Sequence, residues 1–305
     1  MSAPFSIGKL AQVIHVTDDL AGADAMYRGT FGGQCYYEGY SPFEKRDAAL
    51  LAIGDFVIEP MGPADEEGAD QYPVGRFLGR FGSHLHSIAV NVKGVPELYE
   101  HLTAHGIRVV GPGGADPNEM PDEGVKSIYT HPKDAHCLLE FVDFGPELMP
   151  GCPRLDDDWN PAAWRDDHPL GLVGPSHVTV VVRDLDDATA FFADVVGCPV
   201  FHEDSSTPAG TRSRFVLLGT ETVVELAQPM TDGTRAAADL EANGEIVHQM
   251  TLCVADLDGA LRYLAGAGIG TVDRSDDLAV LDPADTYGAL LALTTASLPN
   301  DPRSG

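Results

Sequence analysis

Positive charge is scarce in this sequence: 19 Lys and Arg residues face 47 Asp and Glu, a formal net charge of −28. A field of that sign repels phosphate backbones and anionic lipid, so neither nucleic acid nor a membrane surface is an expected partner. It suits solubility in salt, and it favours a cationic ligand over an anionic one. Cysteine is sparse as well. Cys35, Cys137, Cys152, Cys198 and Cys253 are odd in number and form no CxxC pair, which excludes a zinc ribbon and a disulfide framework. No apolar run approaches the ~18 residues that a membrane helix needs. The opening residues, MSAPFSIGKL, lack the charged and then apolar pattern of a secretory signal. A cytoplasmic protein acting on a small molecule is therefore expected. What is present is enough chain, 305 residues with 44% hydrophobic, for two domains with ordinary cores.

Internal repetition sets the architecture. Residues 10–31, LAQVIHVTDDLAGADAMYRGTF, predict a strand, a turn capped by Asp19 and a short helix. Residues 174–196, GPSHVTVVVRDLDDATAFFADVV, repeat that plan with Asp184 as the cap. Leu20, Ala23, Met26 and Tyr27 fall on one helical stripe, as do Leu185, Ala188, Phe191 and Phe192. The plan returns at His86 in HSIAVNVKGVPELYEHLTAHGI and at His248 in HQMTLCVADLDGALRYLAGAGI. Short β-like runs follow each helix, among them ALLAIGDFVIEPM, RFVLLGTETVVELAQP, HCLLEFVDF and GALLALTT. The chain thus contains four βαβββ modules in two pairs. One module leaves a sheet face bare, so a pair is expected to form a curved mixed sheet around a cleft, with the helices outside. The fold class is α+β. The expected domains are 7–145 and 173–297, joined by a Pro- and Asp-rich linker at 146–172. Trp159 and Trp164 are expected to pin that linker to a domain surface.

These modules resemble the vicinal oxygen chelate superfamily, which includes glyoxalase I, methylmalonyl-CoA epimerase, bleomycin resistance proteins and extradiol dioxygenases. GRFLGRFGSHLHSIAV, residues 75–90, resembles the segment leading into a metal-binding strand in epimerases and hydroxyphenylpyruvate dioxygenases. HPKDAHCLLEF, residues 131–141, resembles the last turn and strand of the epimerases. The resemblance implies a divalent metal in the cleft (Zn, Ni, Co, Mn or Fe), with one ligand from each of four strands. A strand sends alternate side chains to one face, which makes that arrangement natural.

Carried over residue by residue, the resemblance implies Gln12, Glu59, His86 and Glu140 as N-terminal ligands, with Glu140 and Glu59 as the catalytic acid–base pair. Gln12 takes the first-strand position because it aligns with His177, and His15 then falls on the opposite face. His86 stands one residue before the usual position, which Ser87 occupies. One residue changes the face of a strand unless a bulge intervenes. In the C-terminal half His177, Glu225 and His248 are secondary candidates, and Ala292 or Leu291 stands where the eighth strand should supply Glu. Arg76 and Arg80 are candidates to hold a substrate carboxylate or phosphate, behind a loop at 62–75 placed to act as a lid.

Three functions remain open on this reading. The first is a metal-dependent lyase or isomerase of the glyoxalase/epimerase type, transferring a proton next to a carbonyl through a metal-stabilised enediolate. The second is an Fe(II) ring-cleaving dioxygenase, which the missing eighth-strand Glu opposes. The third is a non-catalytic binder of the bleomycin-resistance type, which the negative charge favours. Whether the chain forms a homodimer is left open by the sequence.

Overall fold

The computed structural model describes residues 4–119, 126–143, 152–205, 207 and 209–304. The first half runs β1 (Ser6–Val16), α1 (Leu20–Gly29), β2 (Gln34–Ser41), β3 (Arg46–Ile53), β4 (Phe56–Pro63), α2 (Pro73–Phe81), β5 (His84–Lys93), α3 (Val95–Ala104), β6 (Val109–Val110), β7 (Lys126–Thr130), α4 (Pro132–Ala135) and β8 (Leu138–Asp143). After α5 (Ala162–Asp166), the second half runs β9 (Leu172–Val181), α6 (Leu185–Ala190), β10 (Val200–Asp204), β11 (Thr211–Leu218), β12 (Thr222–Pro229), α7 (Arg235–Asn243), β13 (Ile246–Val254), α8 (Leu257–Gly266), β14 (Thr271–Arg274), β15 (Leu278–Leu281) and β16 (Leu291–Thr294).

Each half forms one mixed sheet of eight strands. The orders are β2-β3-β4-β1-β5-β8-β7-β6 and β10-β11-β12-β9-β13-β16-β15-β14, the same order twice. Within each sheet the two modules meet where their first strands pair antiparallel, β1 with β5 and β9 with β13. The capping expectations hold: Asp19 accepts from the Gly22 amide, and Asp184 from those of Asp186 and Asp187. Segment α6 continues into a π-helical turn over Phe191–Val196, which Gly197 closes at φ 83°.

Strand alternation divides the apolar residues between two faces. Val13, Ile58, Ile88 and Val90 join the buried sides of α1 and α3 in one cluster, which runs on into Val180, Val224, Leu252 and the buried sides of α6 and α8. These four helices therefore lie outside each cleft, as expected, yet they are shared between the two sheets. Polar ties cross this junction. His15 donates to the Tyr287 carbonyl at 2.9 Å, His136 contacts Glu245 at 3.0 Å, and His84 contacts Asp239 at 3.3 Å. Burial alone would lower the His84 imidazole, but Asp239 outweighs it and raises that group.

The expected domain end at 145 and the start of the linker at 146–151 lie outside the described residues. From residue 152 the connection is held down: Trp159 donates to the Gly54 carbonyl at 2.9 Å and Trp164 to that of Phe31 at 3.1 Å. Among the described residues no helix is long and apolar enough to cross a membrane.

Candidate active site

A cavity of about 850 Å³ lies against the face of the N-terminal sheet that carries no helices of the core. Gln12, Glu59, His86, Ser87 and Glu140 all line it. Strand register explains the convergence. Gln12 pairs with Ala89, and Ala89 with Glu140, so three adjacent strands align at that level. Ile14 stands between Glu59 on one side and Ser87 on the other.

The displaced histidine is resolved by a bulge. Ile14 pairs with Ser87 while His15 pairs with Leu85, leaving His86 as the extra residue. A bulge re-aims a side chain that strict alternation would send to the other face. His86 and Ser87 thus reach the same cavity, with His86 Nδ1 and Ser87 Oγ sharing a hydrogen bond of 2.8 Å. Burial, aided by the Arg46 charge, lowers the His86 imidazole to about 4, so it is neutral at pH 7. His15 lies on the opposite face as expected, fully buried and bonded to Tyr27 and Tyr287.

The two carboxylates differ in what holds them. Both oxygens of Glu59 are engaged, Oε1 by Arg46 at 3.2 Å and Oε2 by Gln12 at 3.3 Å. Burial raises its carboxyl, and Arg46 pulls it partly back. Glu140 Oε1 accepts from the Tyr129 hydroxyl at 2.9 Å, and Oε2 makes no hydrogen bond to the described residues. Burial and then the Glu59 charge push the Glu140 carboxyl up to about 8. Among the described residues the buried Gln12 Oε1 has no hydrogen-bond partner. Among the described residues no three His, Cys, Asp or Glu side chains stand close enough together to hold a metal ion.

Arg46, Glu44, Tyr129 and Tyr36 belong to this site without having been singled out in the sequence. Arg46 bridges Glu59 and Glu44, at 3.2 and 2.7 Å. Parity offered a signal: Arg46 shares a strand face with Ala48 and Leu50, and Tyr129 pairs directly with Glu140. Of the two candidate anchors, Arg76 is exposed at the mouth and Arg80 does not line the cavity, lying instead over the Phe81 ring at 4.8 Å. The segment expected to be a lid loop at 62–75 is partly helical, because Pro73 starts α2 at a position suited to proline. That helix lays Val74 and Phe77 against the sheet.

The C-terminal sheet repeats the geometry with different chemistry. His177 pairs with Thr251, and Thr251 with Ala292, so Ala292 occupies the place of Glu140. The bulge recurs, leaving His248 extra between Val247 and Gln249. His248 Nδ1 is spent on Asp239 at 2.5 Å. Glu225 is satisfied by Thr179 at 2.6 Å, Ser213 at 2.7 Å and His177 at 3.4 Å. Burial opposes ionisation there, but His177, Thr179 and Ser213 overcome it and hold the Glu225 carboxyl at about 2. These three secondary candidates are thus engaged with protein groups.

Two eight-stranded sheets of paired βαβββ modules, one cupping buried carboxylates and a histidine, define a tandem vicinal oxygen chelate protein. The profiles of the Glyoxalase/Bleomycin resistance protein/Dioxygenase superfamily match residues 9–134 and 176–279, and the chain belongs to that superfamily. A solved mutant of 4-hydroxymandelate synthase from Streptomyces coelicolor is similar across 94% of this chain and 92% of its own, with a TM-score of 0.66 and 14% identity. That likeness establishes the tandem fold alone. Methylmalonyl-CoA epimerase from Mycobacterium tuberculosis is 26% identical over 42% of this chain and 90% of its own, at a TM-score of 0.39. The uncharacterized protein YqjC of Bacillus subtilis is 23% identical over 124 residues, 38% of this chain and 88% of that protein.

Proposed function

We propose that the N-terminal cleft houses a lyase or isomerase of the glyoxalase/epimerase type, moving a proton on a carbon next to a carbonyl with the help of a divalent metal ion. The observation that carries this reading is Glu140. Its carboxyl is pushed to about 8, it shares a cavity with a second carboxylate, and its Oε2 is not taken by any described residue. A proton-transfer group works best when its affinity for the proton lies near the working pH.

By their chemistry, though not by their present spacing, the residues of the cleft fit such an ion. Gln12 Oε1 is a buried acceptor without a partner among the described residues, the Glu59 charge destabilises ionised Glu140, and His86 is neutral. A dication would satisfy the first, relieve the second and accept a lone pair from the third. Gln12, Glu59, His86 and Glu140 share the cavity lining and would have to draw together to hold it, since as they stand no three of the His and carboxylate groups are gathered closely enough; an N/O set of this kind accepts Zn, Ni, Co, Mn or Fe. When bound, such an ion would polarise the substrate carbonyl and make the neighbouring C–H more acidic.

The chain's own groups do the rest. Arg46 and Gln12 fix Glu59, so Glu140 is the carboxylate with an oxygen to spare. The C–H bond breaks, its proton goes to Glu140 Oε2, and its electron pair moves toward the carbonyl oxygen. Tyr129 donates to Oε1 and steadies the carboxylate between transfers. Return of the proton to carbon completes an isomerisation, and loss of a leaving group completes a lyase reaction. The aromatic wall of Tyr36, Tyr37, Tyr40 and Phe43 suits a carbonyl compound with a flat apolar tail. The test is metal analysis of protein purified without chelator, then incubation of the metal-loaded protein with α-hydroxyacetophenone in D2O. Deuterium entering next to the carbonyl above the buffer rate is expected; its absence sinks the proposal.

Metal affinity carries a signature of its own. Ion binding must displace the Glu140 proton, so affinity rises with pH up to about 8 and levels off above it. The slope is roughly tenfold per pH unit for one proton released. Isothermal titration with Ni2+ at pH 6, 7 and 8 measures it, and a flat profile contradicts the role of Glu140 as a ligand.

A second reading is supported by the mouth of the cleft. Tyr37, Tyr40 and Phe43 are exposed there, on a chain of net charge −28, as a binder of cationic aromatic compounds would require. Protein free of metal, inert in the exchange assay yet tightly bound to a cationic aromatic dye, would favour it. Ring cleavage in the C-terminal cleft has less support, because Ala292 stands at the eighth-strand position and His248 is tied to Asp239.

A further inference from the structure

A buried carboxylate needs positive charge or hydrogen-bond donors, and the two halves meet that need differently. Leu51 pairs with Ile58 as Val216 pairs with Val224, so Glu59 corresponds to Glu225, Ala48 to Ser213 and Arg46 to Thr211. Ile14 pairs with Glu59 as Thr179 pairs with Glu225. In the second half the donors are side chains standing beside the carboxylate: Thr179, Ser213 and His177. Thr211 leaves Glu225 alone and bonds to Ser213 and Thr207. In the first half Ile14 and Ala48 carry no donor, and Glu59 relies on Gln12 and on the guanidinium of Arg46.

That guanidinium arrives from a distance. Arg46 opens β3 opposite Pro63, beyond Glu59 on β4, so its side chain must extend along the ladder to reach the carboxylate. Nη1 then meets Glu59 Oε1 at 3.2 Å, and Nε meets Glu44 Oε2 at 2.7 Å. A long side chain with several rotors can be withdrawn, whereas Thr179 and Ser213 cannot leave Glu225. The Arg46 charge also reaches past Glu59. Burial is the largest influence on the cleft's ionisable groups, lowering the His86 imidazole and raising the Glu59 and Glu140 carboxyls. Arg46 favours the neutral ring and the ionised carboxylates, the direction in which a metal ion would push all three.

We infer that Arg46 is the exchangeable counter-ion of the N-terminal cleft: it holds Glu59 while the cleft is without an ion, and a divalent ion binds in competition with it, displacing the guanidinium from Glu59. This rests on the metal-dependent reading of the cleft. Glu44 keeps its hold on Nε, so the guanidinium turns aside without leaving the cavity. Glu59 passes from one cation to the other and is never left ionised and bare, a state that burial makes costly. The exchange also supplies the movement the site needs. Among the described residues no three His or carboxylate groups are gathered closely enough for an ion, and release from Arg46 frees Glu59 to approach the others.

The experiment is isothermal titration of Ni2+ at pH 8 into the full chain, wild type against Arg46→Leu, which brings neither a donor nor a ligand atom. Removing the competitor should tighten Ni2+ binding roughly tenfold to a hundredfold, the worth of one charge-assisted hydrogen bond. Metal-free Arg46→Leu should melt below wild type, because Glu59 has lost its cation, and saturating Ni2+ should narrow that gap. Unchanged or weaker Ni2+ binding in the variant overturns the inference, because the guanidinium would then be a fixed part of the site. Should Arg46→Leu not fold, Arg46→Lys takes its place. One nitrogen then stands for the two that hold Glu44 and Glu59 separately, tighter binding than wild type is again expected, and equal or weaker binding overturns the inference. Equal binding by wild type and variant sinks this inference alone. Binding by the variant but not by wild type upholds the competition and sinks the metal-dependent reading of the native cleft, and binding by neither sinks both.

Discussion

Glu140→Gln should reduce deuterium exchange by about 10²- to 10⁴-fold, the range in which removal of a positioned acid–base group falls. The substitution keeps the shape and the hydrogen bond from Tyr129 to a side-chain oxygen, but takes away the oxygen that receives the proton. It should also separate lost chemistry from lost structure. The folded protein holds the Glu140 carboxyl at about 8, against 4.5 in an ordinary setting. Between those values the folded state binds more protons than the unfolded state, so this group's contribution to stability falls as pH rises from about 4.5 and is lost above about 8. Glutamine mimics the neutral form at every pH. The metal-free variant should therefore match wild type near pH 5 and melt higher than wild type at pH 8.5. A Glu140→Gln protein that is more stable at alkaline pH and inactive places the defect in proton transfer. Retained exchange in this variant would remove Glu140 from the mechanism.

The repeat was legible because its signals are local. Asp caps, helical stripes and alternating strands depend on neighbours within a few residues, and four copies reinforce one another. Glu59 and Glu140 were legible for a related reason: a carboxylate inside an apolar strand must have a partner, and each position suited a cleft-facing side chain. The alignment of Gln12 with His177 follows the same strand parity, and the pairings to Ala89 and Thr251 bear it out. Parity fails at bulges. His86, His248 and Tyr36 each stand at one, where two residues oppose a single partner, and no local sequence rule announces that count. Arg46 was missed for another reason. A guanidinium at the first residue of a strand is ordinarily solvated, and only the β3–β4 pairing brings it over Glu59.

Duplication also explains why the two clefts differ in kind. Where the N-terminal sheet sets Glu140, an arginine and an unsatisfied amide around open space, the C-terminal sheet sets Ala292 and hydroxyls around Glu225. A carboxylate holding three donors and ionised down to about pH 2 is finished structurally and has little left to offer a ligand. The N-terminal carboxyl at about 8 is the reverse, a charge the protein leaves unsolved. One half has kept its polar groups available, and the other has spent them on packing.

Arg154→Ala should lower the stability of the whole chain by about 3 kcal/mol, toward the lower end of the cost of breaking a buried ion pair. Arg154 comes from the connecting segment, and its side chain is 2% exposed. Its Nε donates to Asp55 and its Nη1 to the Leu10 carbonyl, each at 2.9 Å, while Nη2 donates to Glu221. Asp55 and Leu10 belong to the first half and Glu221 to the second, so one guanidinium ties both sheets to the segment between them. Asp55 is 51% exposed and contributes little to the cost, since water replaces its partner. Glu221, at 22% exposure, loses its guanidinium and keeps the Leu10 amide at 3.1 Å, while the carbonyl of Leu10 loses the Arg154 donor where water reaches it poorly. Arg154→Met separates charge from volume: if Met restores stability, the effect is a filled space and the ionic account fails. Urea unfolding followed by tryptophan fluorescence suits the measurement, because Trp159 and Trp164 both rest on the first half through hydrogen bonds to Gly54 and Phe31. A transition at lower urea is expected for Arg154→Ala. An unshifted midpoint would mean that the Arg154 contacts add nothing to what the shared apolar face and the two tryptophan hydrogen bonds already hold.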